Sequence, residues 1–239
     1  MRAFVGGATG WTGRFVVEAL AGCGVETFAH VRPDSGRIEE WRARVSALGG
    51  ETDTTPWTAQ AMGERMHALR PDLVFGLLGT TRARAAAGDG DYEAVDHDLT
   101  VMLLEACDVP GNPRFVYLSS LGSSADARGA YLKTRWRVEE AIRDRGMPAL
   151  IVRPSLIVGD RDTTRWGETI GAWLLDVVLK PLRWVGSSRI ADRYGSIHGR
   201  DLARGMVAHA LRTEEGVVVV DSSDVRPDRA ALPVGRFRE

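Results

Sequence analysis

The chain has 239 residues, 44% of them hydrophobic, which is enough to bury one sizeable core within a single domain. Its 31 lysines and arginines nearly balance its 32 aspartates and glutamates, so the charge argues against a nucleic-acid or anionic-membrane partner. The two cysteines, Cys23 and Cys107, lack CxxC spacing, and no His, Cys and carboxylate cluster has metal-ligand spacing, so we expect buried structural thiols and no metal site.

The N-terminal residues Met1-Arg2 lead directly into a predicted strand, without the charged and apolar regions of a signal peptide. The longest later apolar run, residues 173–179, contains Asp176 and is too short to cross a bilayer. We therefore expect a cytoplasmic protein that acts on a small-molecule substrate and has no membrane partner. A homo-oligomer is left open.

Short apolar runs alternate with segments of helical period along the chain, the pattern of βαβ units and a parallel sheet. The predicted strands cover residues 2–6, 25–31, 50–53, 72–78, 114–119, 149–153 and 217–220. The predicted helices cover residues 13–21, 58–69, 92–107, 131–145 and 201–211. The strand at 50–53 has little apolar content and is included because the topology requires it.

A glycine-rich turn, Gly7-Ala8-Thr9-Gly10-Trp11-Thr12-Gly13, joins the first predicted strand to the first predicted helix. Gly7 allows a sharp turn, Gly10 lets a pyrophosphate approach the backbone, and Gly13 allows close packing of the helix on the sheet. The helix N-terminus then faces the phosphates. This context predicts a Rossmann-type, doubly wound α/β domain over residues 1–239 that binds a nicotinamide dinucleotide.

Three further side chains of this turn have two interpretations each. Thr9 and Thr12 either contact a phosphate or cap the helix. Trp11 either covers the pyrophosphate or packs on a neighbouring loop. We assign all three to cofactor binding.

The end of the second strand decides which dinucleotide fits. An acidic side chain there favours NAD, whereas a cation favours NADP. The strand ends in Val31-Arg32, and Arg32 is suited to a 2′-phosphate, with Arg37 as support. Asp34 lies close enough to weaken the preference. The sequence thus predicts NADP, with NAD as the alternative.

A second group of polar residues follows later strands. Ser119-Ser120 ends the strand at 114–119, Tyr131 begins a helix eleven residues after Ser120, and Val152-Arg153-Pro154 ends another strand. Together with the glycine turn, in this order, these motifs resemble the short-chain dehydrogenase/reductase superfamily in its extended or atypical branch. In extended members the region after the sixth strand shapes the substrate pocket, so the resemblance implies a small C-terminal substrate-side lobe at about residues 155–200.

The motifs at 78–82, 95–96, 118–120 and 131–132 are more narrowly similar to the oxidoreductase family named after the human HIV Tat-interacting protein. That similarity covers residues 2–162.

The resemblance implies catalytic roles for three positions. In the superfamily a tyrosine transfers the proton, a serine orients the substrate oxygen, and a lysine four residues after the tyrosine supports it and holds the nicotinamide ribose. Ser120 and Tyr131 match this pattern, but position 135 is Arg135. Lys133 is only two residues from the tyrosine, about 200° around the helix. Arg135 keeps the positive charge beside Tyr131, although a guanidinium is larger and cannot relay a proton.

The remaining candidate residues lie at other strand ends. Leu78-Gly79-Thr80 follows the fourth strand, where ligands sit in open α/β sheets, and Gly79 lets the backbone run beside a ribose. The resemblance places the backbone of Pro154 against the nicotinamide. His198 precedes a helix and is interpreted as structural.

Three functions follow from these residues. The first is an NAD(P)H-dependent oxidoreductase acting on a carbonyl or alcohol, with Ser120, Tyr131 and Arg135 as catalytic residues. The second is a catalytically weak NADP(H)-binding redox sensor or scaffold, which Arg135 favours. A sugar-nucleotide epimerase-like enzyme is disfavoured because the chain is short for a sugar-nucleotide lobe.

Overall fold

The computed structural model describes residues 1–79, 92–159, 192–212 and 215–226. Its main sheet contains strands β1 Arg2–Gly6, β2 Glu26–His30, β3 Glu51–Asp53, β4 Leu73–Gly76, β5 Arg114–Leu118, β6 Ala149–Arg153 and β9 Val217–Asp221. A short second pair is formed by β7 Ile157–Val158 and β8 Ile197–His198. The helices are α1 Trp11–Gly22, α2 Ile38–Ala47, α3 Ala59–Leu69, α4 Leu99–Ala106, α5 Ala130–Arg145 and α6 Gly199–Ala210, and a π-helical segment, Tyr92–Asp98, leads into α4.

The strands of the main sheet are parallel and follow the order β3-β2-β1-β4-β5-β6-β9. The chain moves outward from β1 to β3 and then crosses to the other side of β1 to form β4. This reversal creates a crevice at the carboxyl ends of β1 and β4, where open α/β sheets bind ligands. The predicted Rossmann-type α/β fold is confirmed.

Apolar side chains cover both faces of the sheet, as a buried parallel sheet requires. On one face, residues of α1 and α6 pack on the strands, with Leu20 and Met206 fully buried. On the other face, α3, α4 and α5 contribute residues such as Met62, Leu103 and Ile142. The polypeptide therefore forms three layers, with the carboxyl ends of the strands left available between them.

The sequence missed α2 and the short β7–β8 pair. Only Trp41 and Val45 of α2 are buried, so the apolar stripe consists of two positions four residues apart. The weakly marked strand at residues 50–53 is present as β3. It lies at an edge of the sheet, where Glu51 is exposed and only Asp53 is buried.

Cys107 is buried, and its thiol donates to the carbonyl oxygen of Leu103 at 3.2 Å. Burial raises the pKa of the Cys107 thiol to about 12, which keeps it protonated and unreactive. In the described residues both cysteines are free thiols. None of the helices in these ranges has the length and apolarity that a membrane crossing needs.

The predicted single domain and its substrate-side lobe remain predictions. Most of the lobe, residues 160–191, lies outside the described residues, as do residues 80–91, which include Thr80.

Candidate functional site

The glycine turn between β1 and α1 depends on the absence of side chains. Gly7 has φ +82°, and a Cβ there would lie 2.6 Å from the carbonyl oxygen of Leu77. A Cβ on Gly13 would lie 2.1 Å from the carbonyl oxygen of Gly7, which no side chain can tolerate. The N–H of Gly10 donates to that same Gly7 oxygen at 3.0 Å. The turn is therefore tight, and it touches the segment that follows β4.

The first turn of α1 presents its backbone N–H groups to the crevice. Its N-cap is Gly10, which has no side chain, and the sequence Trp11-Thr12-Gly13-Arg14 contains no acidic residue. Neither threonine is the N-cap: Thr9 precedes it and is exposed, whereas Thr12 lies in the first turn and is buried. A helix end of this kind favours an anion, so the turn fits a dinucleotide diphosphate.

Trp11 packs on neighbouring parts of the fold. Its ring meets that of Phe15 edge-on, with 5.3 Å between centroids. A Cβ on Gly199 would lie 2.6 Å from the indole nitrogen, and one on Gly159 would lie 2.8 Å from Cζ2 of the same indole. The guanidinium carbon of Arg14 lies 4.0 Å from the indole centroid. These contacts support the packing interpretation of Trp11, with α1 held against the start of α6.

Arg32 follows β2 at the edge of the crevice. Its side chain is 58% exposed, and its guanidinium lies 3.7 Å from the carboxylate of Asp34, beyond hydrogen-bonding distance. Arg37 is instead held by Glu40 through two hydrogen bonds of 2.7 and 2.6 Å. The hydrogen bonds from Arg37 lower the pKa of Glu40. Arg32 is thus the more available cation at this strand end, and Arg37 has a local partner.

Tyr131, Arg135 and Glu139 form one face of α5, which we call the α5 face. They are spaced four residues apart, so they lie above one another on the helix. Tyr131 is partly exposed, whereas Arg135 and Glu139 are buried. Lys133 is exposed and lies on another side of the helix, as its position two residues from Tyr131 predicts. Lys133 therefore cannot take the place of the superfamily lysine beside Tyr131.

Arg135 spans the ends of β4 and β5. One terminal nitrogen donates to the carbonyl oxygens of Leu78 at 3.2 Å and Leu118 at 3.0 Å, and to the hydroxyl of Tyr117 at 3.2 Å. The other terminal nitrogen donates to the carboxylate of Asp96 at 2.9 Å. The side chain of Arg135 is 6% exposed and that of Asp96 is 0% exposed, so this ion pair is shielded from water.

The charge states in this cluster follow from burial and from the neighbouring groups. Burial, partly offset by Arg135, raises the pKa of the Tyr117 phenol to about 12, so it remains protonated. Burial also opposes the charged form of Arg135, but Tyr117, Tyr131 and Asp96 outweigh it and raise the pKa of the guanidinium. Arg135 therefore stays a cation, 5.2 Å from the ring centroid of Tyr131.

Glu139 holds the ends of β5 and β6. It accepts from the Ser119 hydroxyl at 2.6 Å, from Arg143 at 2.8 Å, and from Nε and Nη2 of Arg153 at 2.9 and 2.6 Å. The side chain of Glu139 is 0% exposed. A two-point arginine pair of this kind is both strong and geometrically specific. The carboxylate thus fixes the helix that carries Tyr131 to two strand ends.

Ser120 is partly buried beside this cluster. Its carbonyl oxygen accepts from the Ser123 hydroxyl at 2.8 Å, while its own hydroxyl makes, within the described ranges, only a long contact of 3.5 Å with the Leu121 carbonyl. The N–H of Leu121 donates to the carbonyl oxygen of Pro154 at 2.8 Å. The backbone around Ser120 is therefore held in place, and Pro154 ties the loops after β5 and β6 together.

The predicted site residues of the loops lie at the carboxyl edge of one sheet: the glycine turn follows β1, Leu78 and Gly79 follow β4, and Pro154 follows β6. Thr80 falls outside the described residues. His198 is the N-cap of α6, where its Nδ1 accepts from the N–H of Arg200 at 3.2 Å, in line with its structural interpretation. Among the described residues, no group of His, Cys, Asp and Glu side chains could hold a metal ion.

The sequence reasoning assigned no role to Asp96, Tyr117 or Glu139. One signal for Glu139 was present: it stands next to Val138 and one turn before Arg143 on a helix whose apolar residues face the core. A charged residue at a core position indicates a buried ion pair. No comparable local pattern points to Asp96, because its partner is 39 residues away.

Comparisons with known proteins bear on the same site. The sequence model of a family described as NAD(P)H-binding matches residues 7–170. The chain is 33% identical to "Protein FMP52, mitochondrial" from Chaetomium globosum over 73% of this chain and 75% of that protein. It is 34% identical to "Protein fmp-52, mitochondrial" from Neurospora crassa over 88% of this chain and 85% of that protein.

Among solved structures, UDP-glucose 4-epimerase from Bifidobacterium longum, in complex with NAD⁺ and UDP, has a TM-score of 0.65. It is 16% identical and is matched over 93% of this chain and 78% of the epimerase chain. A UDP-Glc/GlcNAc 4-epimerase from Campylobacter jejuni has a TM-score of 0.66 at 14% identity, over 92% of this chain and 78% of that chain. At these identities the likeness concerns the fold.

The expectation of a cytoplasmic protein is wrong on this evidence. The fungal relatives at 33% and 34% identity carry names that place them in mitochondria. The expectation was based on the lack of a signal peptide, which concerns secretion and does not distinguish the cytosol from an organelle.

Proposed function

The chain belongs to the family described as NAD(P)H-binding. From this premise we propose that it is an NADP(H)-dependent oxidoreductase of the atypical short-chain dehydrogenase/reductase type, acting on the carbonyl or alcohol group of a small molecule. A bound nicotinamide supplies or accepts the hydride in such a reaction. The protein supplies binding, orientation and the proton.

One observation carries the proposal: a continuous series of contacts links the glycine turn to Tyr131. A Cβ on Gly7 would lie 2.6 Å from the carbonyl oxygen of Leu77 and 3.0 Å from the nitrogen of Leu78. The carbonyl oxygen of Leu78 accepts from Arg135 at 3.2 Å, and Arg135 lies 5.2 Å from the centre of the Tyr131 ring. The glycine turn, which would hold the diphosphate, and Tyr131, the proposed proton donor, therefore border the same crevice.

Each proposed role follows from the position of the side chain. The N–H groups at the start of α1 bind the diphosphate, and Arg32 pairs with a 2′-phosphate, which favours NADP over NAD. The hydroxyl of Tyr131 donates its proton to a carbonyl oxygen or accepts one from an alcohol. The hydroxyl of Ser120, for which the described residues offer only the long contact with Leu121, donates a hydrogen bond to the same substrate oxygen. Arg135 keeps a positive charge 5.2 Å from the ring centroid of Tyr131.

A specific observation also favours a second function, an NADP(H)-binding redox sensor or scaffold with little catalytic activity. The guanidinium of Arg135 binds Asp96, Tyr117 and two backbone carbonyls inside the fold. These partners hold the guanidinium inside the fold, whereas the lysine of the superfamily binds the nicotinamide ribose. Dinucleotide binding without turnover would favour this function.

The replacement Tyr131→Phe separates the two functions. Carbonyl-dependent oxidation of NADPH is measured across a panel of aldehydes, ketones and quinones, and NADPH affinity is measured by quenching of tryptophan fluorescence. We expect the replacement to lower turnover by about 10²-fold or more and to change NADPH affinity little, because only the proton donor is removed.

Lys133→Ala is the matched control, since Lys133 lies on the exposed side of the same helix. It should keep both properties. Turnover that survives Tyr131→Phe would remove this tyrosine from the mechanism, and a parent protein that binds NADPH without reducing any carbonyl would support the sensor function instead.

A further inference from the structure

Arg135 occupies the position of the superfamily lysine but extends into the interior. Its terminal nitrogens are divided between the Asp96 carboxylate on one side and the Tyr117 hydroxyl and the Leu78 and Leu118 carbonyls on the other. A planar guanidinium can reach such divided partners at once, whereas a single ammonium cannot. The arrangement is therefore specific to arginine.

Because Gly79 has no side chain, it leaves space for the inward-pointing guanidinium of Arg135. A Cβ at position 79 would lie 2.8 Å from the terminal nitrogen Nη2 of Arg135, the atom that donates to Asp96. It would also lie 3.9 Å from both carboxylate oxygens of Asp96. Any side chain at position 79 would thus compete with the ion pair for the same space. Gly79 is itself on the carboxyl edge of the sheet, directly after β4.

Asp96 is supplied from the π-helical segment that leads into α4. The segment Tyr92–Asp98 is wound more widely than an α-helix, a geometry that is rare and often found at functional sites. It brings a carboxylate with 0% exposure against Arg135. A buried carboxylate is strongly disfavoured unless it is paired, so Asp96 and Arg135 depend on each other.

The consequence concerns Tyr131, whose ring lies over the guanidinium of Arg135 at 5.2 Å. A cation at this distance attracts the face of an aromatic ring. Building on the proposed function, we propose that Gly79, Asp96 and Arg135 form one interdependent unit that positions Tyr131, so that position 135 supports the tyrosine from inside the fold and does not hold the nicotinamide ribose. Asp96 and Arg135 are positioning residues in this arrangement.

The test is a double-mutant cycle of Gly79→Ala and Arg135→Lys, with two readouts that do not need turnover. NMR of ring-labelled tyrosine reports on Tyr131, whose signal is assigned with Tyr131→Phe, and fluorescence quenching gives NADPH affinity. Gly79→Ala should shift the Tyr131 signal, because the new methyl group displaces the Arg135–Asp96 pair. In the Arg135→Lys background the same methyl group should cause no further shift, because the crowded nitrogen is gone.

NADPH affinity distinguishes this unit from a ribose-binding role. Arg135→Lys should change the dissociation constant of NADPH by less than about threefold, and, where a carbonyl substrate is found, should lower kcat on the order of tenfold with little change in the KM for NADPH. An Arg135→Lys protein with a tenfold or greater loss of NADPH affinity would overturn the proposal. Additive shifts of the Tyr131 signal, or none with Gly79→Ala, would overturn it as well.

Folding of the variants is informative too. If Gly79→Ala alone does not fold but the double variant does, the rescue itself supports the steric coupling.

If neither variant folds, Asp96→Asn replaces them in the test. It keeps the shape of the side chain and removes its charge, so it should shift the Tyr131 signal. An unchanged signal would contradict the proposal. A parent protein without carbonyl reduction would contradict the proposed function alone, since the NMR cycle would still show the coupling.

Discussion

The two ends of the crevice are built by opposite means. At the glycine turn, residues 7–13, the site consists of backbone N–H groups and depends on missing side chains, as the 2.1 Å approach of a Gly13 Cβ to the Gly7 oxygen shows. At the α5 face the site depends on two buried charges, Arg135 and Glu139, each held by partners from several strand ends. Binding at the first end is therefore a local property of the chain, whereas placement of Tyr131 at the second end is a property of the whole fold.

The largest effect should come from removing Glu139, which leaves Arg153 and Arg143 without their buried counter-charge. We expect Glu139→Ala to lower the free energy of unfolding by about 3–5 kcal/mol, measured by urea denaturation. The matched control is Glu140→Ala, on the exposed side of the same helix, which should change it by no more than about 0.5 kcal/mol. Equal effects of the two replacements would mean that the α5 face is not held by its buried charges.

A smaller effect, confined to the dinucleotide, should follow from removing Arg32. Arg32→Ala should weaken NADPH binding about tenfold, roughly 1.4 kcal/mol, because one charge-assisted contact to the 2′-phosphate is lost. NADH affinity and stability should stay the same, since the Arg32 side chain is 58% exposed. Arg42→Ala, also exposed but on α2, serves as the control. If NADH binding fell as much as NADPH binding, Arg32 would not read the 2′-phosphate.

The fold and the glycine turn could be predicted because their signals are local. Alternating strand and helix patterns lie in consecutive segments, and Gly7, Gly10 and Gly13 stand directly between β1 and α1. The order β3-β2-β1-β4-β5-β6 then follows from the usual connections of a doubly wound sheet. Among the described elements, α2, with two buried apolar residues, and the two-residue strands β7 and β8 are too weakly patterned to be recognised.

The environment of Arg135 could not be predicted in the same way. Its partners Asp96, Leu78 and Tyr117 are 39, 57 and 18 residues away in the sequence, and no local pattern links them. The sequence showed that position 135 departs from the superfamily lysine, but the direction of its side chain depends on the space left by Gly79. Contacts of this kind are set by tertiary packing.

We expect the backbone of the glycine turn to bind the diphosphate of a nicotinamide dinucleotide. The direct measurement is calorimetric titration of the full chain and of Gly10→Ala with NADPH and NADH. A Cβ on Gly10 would lie 3.1 Å from the Gly7 oxygen, so this carbonyl must shift by a few tenths of an ångström, and the new methyl group would stand where the diphosphate approaches. We expect saturable one-to-one binding to the parent, tighter for NADPH, and at least about tenfold weaker binding to a folded Gly10→Ala protein. Failure of the parent to bind either dinucleotide, or equal affinity of both proteins, would contradict it.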